Sequence, residues 1–169
     1  GLSFQDRIDI LFHEIELAVR WDRPSILFAI YRSEFIRDEV NKLLKGKLQN
    51  IAQNTYSIRT NYTNQFDFLS QISQLPDLSQ TVLFIDGFNW ECGTEGARVF
   101  KEFNEHREYF IDNNIRAIFW LYEKEVSEFA TNATECWILR HRMVEFVDVP
   151  QQAQGLIQWV DKEVDKQWE

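Results

Sequence analysis

The feature that most constrains this fold is residues 81–85, five residues of high β propensity or bulk that end at Asp86-Gly87. An unbroken apolar run of this length predicts a strand buried on both faces of a parallel sheet. Ligand sites in open α/β sheets lie at the carboxyl ends of the strands. Nucleotide hydrolases hold Mg²⁺ with a carboxylate in this place, so Asp86 is the first candidate functional residue.

Four other segments have strand character. Residues 25–31 and 115–121 are also continuous apolar runs, residues 56–62 alternate between apolar and polar, and residues 143–149 end before Pro150. The alternation at 56–62 predicts an edge strand with one face less covered. Helical patterns separate these strands, which predicts an α/β fold: three αβα layers around a mainly parallel, five-stranded sheet.

The helices are predicted from capping residues and apolar spacing. Ser3 and Ser33 are good caps for the first two helices, and Pro24 ends the first. The expected buried stripe of the second helix is Ile36, Val40, Leu43, Leu44 and Leu48. Further helices are predicted at about 64–72, 94–113, 123–133 and 152–168.

Composition narrows the classes of partner. The 169 residues are 44% hydrophobic, enough for one domain with a covered core, and the net charge is −9. This charge argues against binding nucleic acid or a membrane surface. Two distant cysteines and the lack of an apolar stretch of about 20 residues favour a soluble protein of the cytoplasm. The chain starts without methionine, and we expect it to be one domain of a longer protein.

The machinery that would accompany a Mg²⁺-binding Asp86 is missing. A phosphate-binding loop after the first strand needs the pattern GxxxxGK[ST], but no glycine precedes Gly46 in that stretch. Glu34 and Asp38 instead place negative charge near the helix end that should attract phosphate. Gly46-Lys47 lies at the end of a predicted helix. We therefore expect no bound nucleotide cofactor.

The chain resembles the nucleotide-binding core of STAND-type, AAA-related P-loop ATPases, in a form without the phosphate loop. The residues that carry the resemblance are Asp86, Ala97, the run 103–108, the strand 118–121, Ala130, Ala133, Trp137, Arg140 and the run 144–146. They are similar to the pattern of inactive STAND-like domains in multidomain bacterial signalling and defence proteins. The likeness extends from about residue 24 to residue 150.

This resemblance implies the sheet order 5-1-4-3-2, with Asp86 at the end of a degenerate Walker B-like strand. It also implies a non-catalytic regulatory or protein-interaction module, with a crevice filled by side chains and with a protein partner or neighbouring domains. The alternatives are a divergent nucleotide hydrolase with phosphate ligands from elsewhere, such as Arg140, and a flavodoxin-like or phosphatase-like domain that uses Asp86. The absent glycines disfavour the first alternative. Phe88 stands where a phosphatase-like site needs a second aspartate.

A few other residues are candidates for contacts. Arg107, Glu108 and Arg140 are expected to form internal salt bridges or to face a partner, and Trp137 is a candidate interaction residue. Arg140 is also a candidate to reach Asp86 or Glu108. Trp90, in a predicted loop, is a candidate interface residue. The three histidines are scattered and no serine lies in a GxSxG pattern, so neither a metal site nor a catalytic residue is predicted.

Overall fold

The structure, a computed structural model, describes residues 2–59, 68–87, 105–132 and 142–147. Its helices are α1 (Phe4–Arg20), α2 (Glu34–Gln49), α3 (Phe68–Ser73), α4 (Arg107–Asp112) and α5 (Val126–Asn132), and its strands are β1 (Ser25–Tyr31), β2 (Asn54–Arg59), β3 (Thr81–Asp86), β4 (Arg116–Tyr122) and β5 (Arg142–Glu145). Short 3₁₀ turns, Leu78–Gln80 and Glu123–Glu125, precede β3 and follow β4.

The five strands form one sheet in the order β2-β3-β4-β1-β5, and every pair is parallel. The predicted order is therefore confirmed, with β3, β4 and β1 in the interior and β2 and β5 at the edges. All seven residues of β1 are buried, as are the first six of β4, because helices cover both faces of the sheet.

The two faces of the sheet contribute to two apolar cores, which gives the predicted three-layer fold. On one face α1 and α2 pack on a core that includes Leu27, Phe84 and Trp120. On the other face α3, α4 and α5 pack on a core that includes Phe28 and Phe119. Neighbouring residues of each strand thus enter opposite cores, as the pleat requires. No helix among the described residues is long and apolar enough to cross a membrane.

The caps of the two long helices follow the predicted residues. The backbone N–H of Asp6 donates to Ser3 Oγ at 3.0 Å, and the Ser3 N–H donates to the Asp6 carboxylate at 3.2 Å, so α1 begins with a capping box. Ser33 caps α2 through a longer bond, 3.4 Å, from the N–H of Ile36. Both caps satisfy N–H groups that the first turn leaves without partners.

The buried stripe of α2 differs from the prediction. Leu43 is 40% exposed, whereas Arg37 is only 5% exposed and joins Val40, Leu44 and Leu48 on the buried face. These four positions follow helical spacing. The prediction is therefore confirmed at Val40, Leu44 and Leu48 and wrong at Leu43, and Ile36 is half-buried beside the stripe. The arginine is buried because polar groups meet it at the sheet edge, as described below.

Several predicted boundaries shift or fall outside the described residues. β2 begins two residues before the expected strand at 56–62, and residues 60–62 are not among those described. The helix expected at 123–133 begins with a 3₁₀ turn before α5. Residues 64–67 and 94–104, the end of the last strand and the helix expected at 152–168 lie outside the described residues.

A second buried arginine, Arg116, connects α1 to the turn before β3 at the amino ends of the strands. Arg116, at the start of β4, is 2% exposed. Its guanidinium donates to the carbonyls of Ala18 at 3.3 Å and Ser79 at 2.9 Å, and to Asp22 Oδ1 at 3.2 Å. The side chain therefore joins the last turn of α1 to the turn before β3. The Ala18 carbonyl also accepts the N–H of Arg23 at 3.0 Å, so Arg116 adds a second donor at the end of α1.

Candidate functional site

The connection between β1 and α2 is the place where a phosphate-binding loop would lie in a sheet of this order. It consists of only Arg32 and Ser33, because β1 ends at Tyr31 and α2 begins at Glu34. Two residues cannot surround a phosphate with backbone N–H groups. The Ser33 hydroxyl also occupies one N–H of the first turn, and Glu34 adds negative charge there. This connection is a tight helix cap.

Asp86 lies at the carboxyl end of β3, as predicted, and binds an arginine from the edge strand. β2 pairs with β3 in the register that sets Arg59 beside Asp86. Arg59 Nε donates to Asp86 Oδ1 at 3.1 Å and Nη2 donates to Oδ2 at 3.4 Å. The hydrogen bond to Asp86 raises the pKa of the Arg59 guanidinium further. Gly87 then turns the chain with φ 93°, a value that favours glycine.

A second arginine, Arg37 on α2, also lies close to Asp86. Arg37 Nη1 lies 3.9 Å from Asp86 Oδ2 and donates a 3.4 Å hydrogen bond to the Tyr31 hydroxyl. The guanidinium carbon stands 5.0 Å from the centre of the Tyr31 ring, within cation–π range. Its Nε donates to Asp38 Oδ1 at 3.2 Å. We call Tyr31, Arg37, Arg59 and Asp86 the Asp86 cluster.

Tyr31 is the most buried residue of the cluster. Its side chain is 2% exposed, and burial raises the pKa of the phenol above its ordinary value of 10.0. The positive charge and hydrogen bond of Arg37 oppose that rise, while the negative charges of Asp86 and Glu125 add to it. Tyr31 therefore stays protonated at neutral pH, and its ring and hydroxyl serve to hold Arg37.

The ends of β1 and β4 are joined by another ion pair. Arg32 Nε donates to Glu123 Oε1 at 2.6 Å, and Nη2 donates to Oε2 at 3.0 Å, the bidentate arrangement that arginine and a carboxylate favour. The hydrogen bond from Arg32 lowers the pKa of Glu123 below its ordinary value of 4.5. This pair spans the gap between two neighbouring strand ends on the edge where ligands usually enter.

The charges at this edge are matched within the protein. Each of the three arginines, Arg32, Arg37 and Arg59, binds a carboxylate of the same chain. An entering phosphate would have to displace one of these carboxylates and would meet the negative charge of the others. The described part of this edge therefore lacks the surplus positive charge that phosphate binding needs. Nor does any cluster of His, Cys, Asp and Glu among the described residues have the arrangement of a metal site.

The other predicted site residues are placed only in part. Arg107 and Glu108 begin α4, which leads into the amino end of β4, whereas Asp86 lies at the carboxyl end of β3. Arg107 is half-buried and Glu108 is exposed. The candidates Trp90, Trp137 and Arg140 lie outside the described residues, so the predicted contacts of Arg140 stay predictions.

Sequence reasoning missed both arginines of the Asp86 cluster. Arg37 had a detectable signal, because it stands three residues before Val40 and seven before Leu44, in step with the buried stripe. Arg59 had none, since its position beside Asp86 depends on the register of two strands that are distant in sequence. A search of protein-family models and of curated proteins finds no match for the chain.

Proposed function

We propose that this chain is a non-catalytic regulatory or protein-interaction module built on a sheet of NTPase-like order. The observation that carries the proposal is the Asp86 cluster, in which the guanidinium groups of Arg59 and Arg37 lie 3.1 and 3.9 Å from the Asp86 carboxylate. Arg59 donates two hydrogen bonds to this carboxylate, and the positive charges of Arg59 and Arg37 beside it repel a cation. The cluster thus supports an internal, structural role for Asp86.

The connection at Arg32-Ser33 supports the same proposal independently. A nucleotide hydrolase stabilises the charge of its phosphates with preorganised backbone N–H groups and cations. Here Ser33 caps the first turn of α2, and Arg32, the cation of the connection, is bound to Glu123. The bacterial signalling and defence proteins that the sequence resembles offer the context for such a module, in which the surface rather than the crevice is used.

The test is titration calorimetry of the purified chain with ATP, ADP and GTP, each with and without Mg²⁺. We expect no binding tighter than about 100 μM, which corresponds to roughly 5.5 kcal/mol. Asp86→Asn is the diagnostic variant, and Asp77→Asn is its matched control, because Asp77 is an exposed carboxylate at the opposite end of β3. Nucleotide binding or hydrolysis that Asp86→Asn abolishes and Asp77→Asn retains contradicts the proposal.

A further inference from the structure

The outer edge of β5 carries main-chain groups that point away from the sheet. The N–H of Phe146 donates to the carbonyl of Ile30 on β1 at 2.8 Å, and residues alternate in direction along a strand. Val144 therefore faces β1 as well, whereas the N–H and C=O groups of Met143 and Glu145 are directed outward. Within the described part of the chain, no strand pairs with this side of β5.

Two hollows flank this edge, one on each face of the sheet. The α1-side hollow has a volume of about 330 Å³ and is lined by Leu2, Arg7, Ile10, Arg142, Met143, Val144 and Glu145. The α5-side hollow has a volume of about 320 Å³ and is lined by Ile30, Arg32, Glu123, Val126, Met143, Glu145 and Val147. The two hollows share Met143 and Glu145, the two residues whose main chain faces outward.

The hollows differ in charge. In the α5-side hollow Arg32 and Glu123 neutralise one another, which leaves the exposed carboxylate of Glu145 above an apolar floor that includes Val126 and Met143. In the α1-side hollow Arg7 and Arg142 are both cationic. The first environment fits a cation on an apolar stem, as in lysine or arginine, and the second fits a carboxylate.

We propose that an extended segment of a partner protein adds a strand to β5, with a lysine or arginine side chain in the α5-side hollow and an acidic side chain in the α1-side hollow. In strand addition, main-chain hydrogen bonds supply affinity, and hollows for alternate side chains supply specificity. The open main chain of Met143 and the paired hollows meet both requirements. The inference rests on the proposed function, since it names the kind of partner that the module binds.

Arg7 covers part of this edge in the free chain. Its Nη1 donates to the outward carbonyl of Glu145 at 2.7 Å, so one of the open acceptors already has a partner. A short edge strand with charged residues and a covered carbonyl resists pairing with unrelated strands. The partner strand then pairs chiefly through Met143 and the N–H of Glu145.

The experiment measures fluorescence anisotropy of short labelled peptides titrated with the full chain. The parent peptide alternates threonine and valine and carries one central lysine; companions carry norleucine or glutamate in its place, and a further version has N-methylated main-chain amides. We expect the lysine peptide to bind about twofold to fivefold tighter than the norleucine peptide, as an exposed charge pair provides. N-methylation should weaken binding at least about tenfold, because it removes donors of the strand ladder.

Variants of the chain locate the site. Glu145→Gln should abolish the preference for lysine over norleucine, and Asp77→Asn, its matched control at the amino end of β3, should retain it. Equal binding of the lysine, norleucine and glutamate peptides, or indifference to N-methylation, overturns the inference. So does a dimer of the free chain that Met143→Pro dissociates, because the edge then pairs with a second copy.

The two proposals fail separately. A chain that binds neither nucleotide nor any peptide loses only the inference on β5. If instead the chain binds nucleotide through Asp86 while the lysine peptide still binds at β5, the non-catalytic proposal is wrong and strand addition stands.

Discussion

In the Asp86 cluster we expect the longer of the two ion pairs, Arg37 with Asp86, to stabilise the fold more than the pair of Arg59 with Asp86. Arg37 Nη1 lies 3.9 Å from Asp86, and the Arg37 side chain is 6% exposed. At an effective dielectric constant of about 20, the Coulomb attraction at this distance is about 4 kcal/mol. Because Asp38 and Arg59 share these charges, we expect a double-mutant cycle of Arg37→Met and Asp86→Asn to give a coupling energy of about 1–2 kcal/mol.

The matched control is the pair between Arg59 and the same carboxylate. Its distance is shorter, 3.1 Å, but the Arg59 side chain is 67% exposed, so water and salt screen its charge. The cycle of Arg59→Met with Asp86→Asn should therefore give less than about 1 kcal/mol. Raising the salt concentration should reduce this coupling further and leave the Arg37 coupling nearly unchanged.

The assay is equilibrium unfolding in urea at pH 7, followed by circular dichroism, for the parent chain and each single and double variant. Linear extrapolation to zero urea gives the free energies of unfolding that enter the cycle. The variants can be compared if they share the same m-value, the slope of unfolding free energy against urea concentration. A coupling below about 0.5 kcal/mol for Arg37, or a larger coupling for Arg59, refutes the argument that burial makes Arg37 the structural partner of Asp86.

Four further substitutions have definite expected outcomes. Gly46→Ala should raise the free energy of unfolding by about 0.5–1 kcal/mol, because a Cβ added at this position of α2 meets nothing within 4 Å. Gly87→Ala should lower the free energy of unfolding, because φ 93° is strained for alanine. Equal effects of the two substitutions in urea unfolding would contradict this reasoning. Arg116→Met should cost about 2–4 kcal/mol in the same assay, because it removes three hydrogen bonds made by a guanidinium that is only 2% exposed. A loss below about 1 kcal/mol would show that these bonds contribute little. Arg32 lowers the pKa of Glu123, so the contribution of Glu123 to folding stability is present above the ordinary value of 4.5 and disappears as the pH falls through the lower folded-state pKa. The difference in free energy of unfolding between the parent and Glu123→Gln should therefore shrink in that acid range. A difference that stays constant from neutral to acid pH would contradict this reasoning.

The architecture was predictable because it depends on patterns that are local in sequence. Continuous apolar runs located β1, β3 and β4, and the serine caps located the starts of α1 and α2. Alternation at 56–62 identified an edge strand but misplaced its start, since residues on an exposed edge are constrained by few contacts. Helix rotation was predictable where apolar residues fill the stripe and failed at Arg37, where a charged residue does.

The candidate site was less predictable because it depends on contacts between distant segments. Asp86 was identified from its position after an apolar strand. Its partners Arg37 and Arg59 come from a helix and a strand that precede β3, and their meeting requires the strand order and the register to be known first. The outer side of β5 at Met143, which no strand of the described residues covers, had no sequence signal, because whether a strand has one neighbour or two is a property of the whole sheet.

The strand order also determines when this domain can fold. β1 occupies the interior of the sheet, yet both of its neighbours are made late: Ser25 pairs with Arg116, and Leu27 pairs with Arg142. During synthesis β1 therefore cannot pair until β4 and β5 have left the ribosome. Bringing segments so distant in sequence together is slow. Until then β1 is a target for aggregation or for chaperones, so the yield of folded protein depends on events that the finished structure no longer displays.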